Sequence, residues 1–374
     1  MTTPDALPPL RVDGRVDRLR DAMAERGLEG FVVTDLASVR WLTGFTGSNG
    51  LLVVDHDAVV LATDERYALQ APAQLEQAGA DAAVGIDRDL VRTGANALAA
   101  CTRVALEGDT VTWDQQRRWA SRLPEAELVP VSGLLRELRS TKDDAELARI
   151  EAAATIADHA LAETAALRVP GTTERRLGLA LDDAMRAAGA SGPAYETIVA
   201  SGPNAALPHA RPSDRAFEAG DLLVIDVGAL VDGYRSDMTR SFVIGGADAA
   251  TDVALEILPL VTAAQAAGVA AVRPGVEARV VDHACRTMIT DAGHGPHFSH
   301  GTGHGVGLDI HELPSIRKDN AAILQAGQVL TVEPGVYLPG VGGVRVEDLV
   351  VVTETGCRPL TRSPKLQLAP HPQD

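Results

Sequence analysis

The 374-residue sequence predicts two domains of different class. An α/β domain covers residues 1–138, and an α+β domain with an internal pseudo-twofold repeat covers residues 139–374. Three observations carry this. Before the junction, short Val/Leu/Ile runs alternate with helical periodicity, the pattern of a strand-and-helix sheet domain. After it, one plan of helix plus carboxylate-bearing hairpin occurs twice, about 105 residues apart. Between them, Glu137–Lys142 reads as a junction, with a long alanine-rich helix starting just beyond.

In the first domain, Arg15–Gly27 has helical spacing with Val16, Leu19 and Met23 inward. Strands are expected at Phe31–Thr34, Leu51–Val54, Ala58–Ala62, Val104–Leu106 and Leu128–Val131, each rich in β-branched residues. Trp41–Gly50, WLTGFTGSNG, reads as a glycine-rich connection. No G-x-G-x-x-G follows a strand, so these glycines are not a dinucleotide fingerprint. Past the junction, Ser140 or Thr141 can cap a helix over Asp143–Ala166, with Asp143 and Asp144 in its first turn.

The second domain is organised around GDLLVIDVGALVDGYRSDMTR, Gly220–Arg240. An apolar strand ends in Asp226, and a turn at Asp232-Gly233 returns a second strand carrying Asp237. A carboxylate at the end of a buried strand is costly unless paired. Either an ion pair with Arg235 or Arg240, or a metal, answers that cost. Gly327–Val352 repeats the plan with Glu333 and Glu347. Each glycine precedes its first acid by six positions, and the acid pairs are eleven and fourteen apart. Further back, Pro170-Gly171 with Glu174 and Pro274-Gly275 with Glu277 each open an alanine-rich helix.

A twofold relation would set the four acids side by side. Each close pair of like charges costs roughly 1–4 kcal/mol near a surface, and two divalent cations would cancel the four charges. Between the hairpins, GHGPHFSHGTGHGVGLDIH (Gly293–His311) holds five of the ten histidines. One of them would complete a mainly oxygen ligand set, which favours Mn²⁺, with Co²⁺ or Zn²⁺ as alternatives.

These motifs resemble the pita-bread metallopeptidases, specifically Xaa-Pro aminopeptidases and prolidases (Xaa-Pro dipeptidases). The resemblance covers nearly the whole chain. LTGFTGSN followed by LATDERY (Leu61–Tyr67) resembles the family's creatinase-like amino-terminal domain. Five metal ligands are implied: Asp226 in VIDVGA, Asp237 in YRSDMTR, His304 in HGTGHGVG, Glu333 in TVEPGVY and Glu347 in VRVED. Asp237 and Glu347 would bridge two metals, Asp226 would bind one, and His304 and Glu333 the other. A metal-bridged hydroxide would then attack the carbonyl before a proline-like nitrogen, with Glu333 as proton shuttle. His209 and His311 would hold carbonyl oxygens. His300 and Arg345 are expected on the substrate side, with Arg345 also supporting the acids, as Tyr234 would. His294 and His297 read as loop residues.

The resemblance further implies small peptides with proline at the second position as substrates. It also implies a homodimer whose smaller domain is a lid that shapes the pocket. A net charge of −17 argues against nucleic acid or an anionic membrane as partner. Three scattered cysteines suggest a reducing cytoplasm. Met1–Leu10 has no signal-peptide core, and Leu258–Val272, the most apolar stretch, is too short and is interrupted by Gln265. Three other readings share the plan. A creatinase-like hydrolase of a small C–N compound and a non-enzymatic binding module would both lack the ligands. A methionine aminopeptidase would lack the first domain.

Overall fold

The computed structural model describes residues 7–366. It divides into two compact units that change over between Arg139 and Ser140. The unit Pro8–Arg139 holds a mixed six-stranded sheet. Its order is Ala83–Ile86, Val59–Thr63, Gly50–Asp55, Gly30–Val33, Arg103–Glu107 and Glu127–Val131. Two antiparallel pairings link the middle three strands, and the outer pairings are parallel. Val32, Val53, Leu106 and Trp119 are in the core against one face.

Two local expectations change here. Trp41 lies in a helix, Leu36–Thr43, not in a loop. Asp35 caps it by accepting from the Ser38 amide, and Gly44 stops it at φ 75°. In the helix Arg15–Glu25, Arg15 takes the inward place beside Leu19 and Met23, while Val16 is half-buried. Arg15 donates to the Trp41 carbonyl at 2.7 Å and lies 5.2 Å from the indole centroid, so its charge is satisfied where it is buried.

In the second unit the long helix is Asp144–Glu163, shorter than the spacing predicts. Its cap is Asp143, not Ser140 or Thr141. Asp143 accepts from the Glu146 amide while Glu146 accepts from the Asp143 amide, a reciprocal capping box. A tighter 3₁₀ turn over Thr164–Leu167 ends it.

The repeat is visible bond by bond. The Gly171 amide donates to the Phe217 carbonyl and the Gly275 amide to that of Leu324; the Glu174 amide donates to the Arg215 carbonyl and the Ala278 amide to that of Ala322. Arg175 donates to Ser213 and Arg279 to Asn320. Gly220 closes onto Ile244 as Gly327 closes onto Val352. Each half has its own core. Leu177, Met185, Leu223 and Ile225 belong to the first, and Ile257, Val281, Leu330 and Val350 to the second.

Helix Asp252–Ala271 belongs to the second half. It is 20 residues long and, among the described residues, is the one helix apolar enough by length and composition to cross a membrane. The sequence expectation that this stretch is too short is corrected in that respect. One face nevertheless packs on the core through Ile257, Leu258 and Val261, and the buried Gln265 donates to Asp348 at 3.1 Å.

Each acid hairpin is broken in the middle. In the first, Leu222–Asp226 pairs with Thr239–Val243 and Ala229–Val231 with Tyr234–Arg235. In the second, Val329–Val332 pairs with Asp348–Val352 and Gly335–Leu338 with Gly342–Arg345. Asp237, Glu333 and Glu347 lie in the breaks, and Asp226 is the last residue before one. Gly228 is required there, because a Cβ would lie 2.0 Å from the Ser236 carbonyl oxygen. The two hairpins meet where the Glu347 amide donates to the Thr239 carbonyl and Ser241 Oγ to the Arg345 carbonyl.

Candidate metal centre

Ligand atoms of Asp237, His304 and Glu347 lie within 4.8 Å of one another. His304 Nε2 is 3.5 Å from Asp237 Oδ2 and 3.4 Å from Glu333 Oε1. Asp226 joins this group through the Tyr195 hydroxyl, which is within hydrogen-bond reach of both Asp226 Oδ1 and Asp237 Oδ1. The structure therefore brings all five expected ligand residues to one place.

Three features of the donor set fit divalent cations. His304 Nδ1 is 3.0 Å from the Gly305 carbonyl, which can only accept, so Nδ1 carries the proton. The Nε2 lone pair then faces two carboxylate oxygens, an arrangement that a cation stabilises. Glu347 is buried; its Oε2 accepts from Thr239 Oγ1 at 2.7 Å, while Oε1 has no partner among the described residues. An orphaned buried carboxylate oxygen is costly unless a cation supplies the missing contact. Finally, the Tyr195 hydroxyl has one proton for two acids.

The electrostatics agree. Burial, then neighbouring Asp226 and Glu333, push the Asp237 carboxyl well above the ordinary carboxylate range. Burial, then Asp237, Glu333 and Asp226, do the same to Glu347. Without cations the cluster holds protons that bound metal would displace.

Gly303 sets the position of His304. A Cβ there would lie 2.0 Å from the Thr331 carbonyl oxygen, so only glycine lets this strand approach the strand leading to Glu333. Thr331 Oγ1 receives the His304 amide at 3.1 Å and reaches Glu333 Oε1 at 3.3 Å.

The surrounding residues differ from expectation in three places. Where Tyr234 is expected beside the acids, its hydroxyl donates to Glu146 at 3.0 Å. Tyr195 touches them instead. Arg345 is buried and directs its fork at the protein. Nη2 binds Asp226 Oδ2 at 2.7 Å, Nε binds Thr239 Oγ1, and Nη1 binds the Tyr337 hydroxyl and the Pro208 carbonyl. In this geometry its hydrogen bonds hold Asp226 and the Pro208 carbonyl. His300 has both ring nitrogens engaged, Nδ1 with the Gly301 carbonyl and Nε2 with the Tyr337 hydroxyl at 2.8 Å. Burial lowers its pKa.

His209 and His311 are exposed. The His311 ring packs edge-on at 4.4 Å from the His304 ring. Burial is the main cause that lowers the pKa of His311, and a positive charge on neighbouring His304 or His209 would lower it further. The two arginines proposed for an ion pair have other partners. Arg235 donates to the Ala194 and Leu308 carbonyls, and Arg240 pairs with Asp348 at 2.8 Å. His294 pairs with Glu256 and His297 lies in a short 3₁₀ turn. Sequence reading missed Tyr195, Tyr337 and Thr239. The available signal was scarcity: the chain has four tyrosines, and one closes the Glu333 motif TVEPGVY.

Residues 148–354 match Metallopeptidase family M24, and residues 15–141 match the Creatinase/Prolidase N-terminal domain. The chain belongs to metallopeptidase family M24. Among its M24 relatives is the Xaa-Pro dipeptidase of Pyrococcus furiosus, 38% identical over 70% of this chain and 74% of that protein. The solved Xaa-Pro dipeptidase from Bacillus anthracis superposes with a TM-score of 0.90 at 35% identity, covering 96% of this chain and 99% of that one. The X-Pro aminopeptidase from Thermotoga maritima does so with a TM-score of 0.84 at 33% identity, covering 95% and 99%. The chain thus has the two-domain pita-bread fold of a metallopeptidase.

Proposed function

We propose that this metallopeptidase is a two-metal exopeptidase that hydrolyses the bond between an amino-terminal residue and a following proline. One observation carries the reading: the four hairpin carboxylates and His304 converge where a buried carboxylate oxygen lacks a partner. Asp237 and Glu347 would bridge the ions, Asp226 would hold one, and His304 and Glu333 the other. Mn²⁺ is the expected ion, with Co²⁺ or Zn²⁺ as alternatives, given the oxygen-rich set. Bound there, two such ions supply Lewis acidity and a water acidified toward neutral pH.

The chain's own groups supply the rest. Arg345 and Tyr195 hold Asp226, and Thr239 orients Glu347 through Oε2. Glu333, half-buried and beside the Thr331 hydroxyl, takes a proton and delivers it to the leaving nitrogen. The exposed His209 and His311 reach the substrate carbonyls and stabilise charge developing there. A creatinase-like hydrolase or a binding module would have no use for a complete ligand set.

The three cysteines are free, which supports the reading of a cytoplasmic enzyme. The family resemblance supports a homodimer, and light scattering on the purified protein tests that. The test of the activity is hydrolysis of Xaa-Pro and Xaa-Pro-Xaa peptides by metal-reconstituted enzyme. Cleavage of the first alone identifies a dipeptidase, cleavage of the second an aminopeptidase. Failure to cleave either, with metals bound, refutes the proposal.

A further inference from the structure

Glu174 is fully buried and has no part in the metal site. It opens the helix Glu174–Ala187, and its two oxygens accept six hydrogen bonds from a single loop. Oε1 accepts from the Ser201 amide and hydroxyl, both at 2.7 Å, and from Asn204 Nδ2 at 3.1 Å. Oε2 accepts from the same Nδ2 at 3.1 Å and from the Ser213 amide and hydroxyl at 3.0 and 2.5 Å. Ser201 begins the segment and Ser213 ends it. His209 lies between them.

The loop has a second anchor on its other side. Arg345 Nη1 donates to the Pro208 carbonyl, one residue before His209, while Nη2 of the same guanidinium holds Asp226. Inside the loop, Leu207 donates to Asn204 and Ala210 to Leu207. The exposed histidine therefore stands on a short segment tied at both ends to one carboxylate and at its crest to the metal site. At the matching place in the other half the helix carries Ala278, which has no side-chain acceptor. The twofold scaffold thus does not itself demand a carboxylate here.

We infer that Glu174 is a positioning residue that fixes the loop 201–213 so that His209 meets the substrate carbonyl. A carboxylate suits the task because it has only acceptor sites for the donors at the two ends of the loop. The inference rests on the proposed role of His209. It goes beyond that role by assigning the alignment of the imidazole to a residue with no contact to metal or substrate.

The test is a double-mutant cycle on full-length, metal-reconstituted enzyme with a Xaa-Pro substrate. Glu174→Gln keeps the shape but faces one side of the loop with a donor. It is expected to keep the metal content and to lower kcat on the order of 10- to 100-fold, as a displacement of about an ångström does, with a smaller change in KM. In the His209→Ala background the same change should cost no more than about twofold, because residues acting as one unit are non-additive. Hydrogen exchange on the metal-free protein should show faster exchange in 201–213 and unchanged protection in the strand Leu222–Asp226. Equal kcat losses in both backgrounds, or wild-type kcat in Glu174→Gln, overturn the inference. If His209→Ala itself turns over at the wild-type rate, the proposed role of His209 falls, and the inference with it. Should Glu174→Gln not fold, Ser213→Ala removes a hydroxyl from the same carboxylate and enters the same cycle with the same criteria.

Discussion

The two halves of the second unit share a backbone and divide the chemistry. Their helix-to-loop hydrogen bonds repeat residue for residue, from Gly171–Phe217 and Gly275–Leu324 to Gly220–Ile244 and Gly327–Val352. The hairpin acids repeat in kind, Asp226 with Glu333 and Asp237 with Glu347, but the side chains around them do not. To the proposed site the first half would supply Asp226, Asp237, Tyr195 and the His209 loop, and the second His304, Glu333, Glu347, Arg345 and Tyr337. Even the anchors differ. Glu174 grips the loop of the first half, whereas in the second the buried Asp282 pairs with Arg286 and accepts from the Thr302 amide and hydroxyl. Arg286 then donates to the Phe298 and His300 carbonyls. The hydrogen bonds that hold the repeat together are main-chain bonds, indifferent to side chains. Beyond the acids in the breaks, the surrounding residues are free to differ, so a symmetric frame carries an asymmetric site.

The largest effect should come from the acids in the breaks. Asp237→Ala or Glu347→Ala, one from each half, should each lower kcat on the order of 10⁴-fold or more in a Xaa-Pro assay. A far milder loss from either half alone would break the claim that the halves share one centre. Next come the exposed histidines, also one per half. His209→Ala and His311→Ala should keep the metals and each lose kcat on the order of 10²-fold. A histidine whose removal leaves kcat unchanged is structural.

The tyrosines sharpen the comparison further. Tyr195→Phe removes the hydroxyl shared by Asp226 and Asp237, and about a tenfold loss in metal affinity is expected by calorimetry. Tyr234→Phe touches the helix acid Glu146 instead. It should leave kcat within about twofold and cost about 1 kcal/mol in denaturant unfolding. Reversed outcomes would restore Tyr234 to the site.

The pH dependence is smaller in effect. In the metal-free protein Asp237 and Glu347 hold their protons above the ordinary carboxylate range. A pKa raised by folding gives stability that is present below the unfolded value and lost as pH rises through the folded one. Chelated protein should therefore lose thermal stability from the ordinary carboxylate range toward neutral pH and beyond. The metal-loaded form should lose less over the same range. Parallel curves would contradict the clustering of protonated acids.

Much of this was legible in the sequence because it follows from spacing. Glycine-to-acid intervals exposed the repeat, and β-branched runs exposed the strands. Local capping was harder to read, because Ser140, Thr141 and Asp143 are all competent N-caps, and Glu146 three residues on decides between them. The partners of the acids were not legible. Tyr195 and Tyr234 are both tyrosines near the first hairpin, and only the fold determines that one reaches the acids while the other faces a helix. Arg345 was readable as a cation two residues from Glu347, an expected ligand. Its grip on the carbonyl of Pro208, 137 positions away, depends on how the two hairpins meet.

The central claim is that both halves contribute ligands to one two-metal centre. It is tested most directly by elemental analysis of the dialysed, Mn²⁺-reconstituted protein beside Asp237→Ala and Glu347→Ala. The wild type should retain about two ions per chain, and each variant should lose tight binding of both, because each removes a bridge. Unchanged stoichiometry in both variants would contradict it.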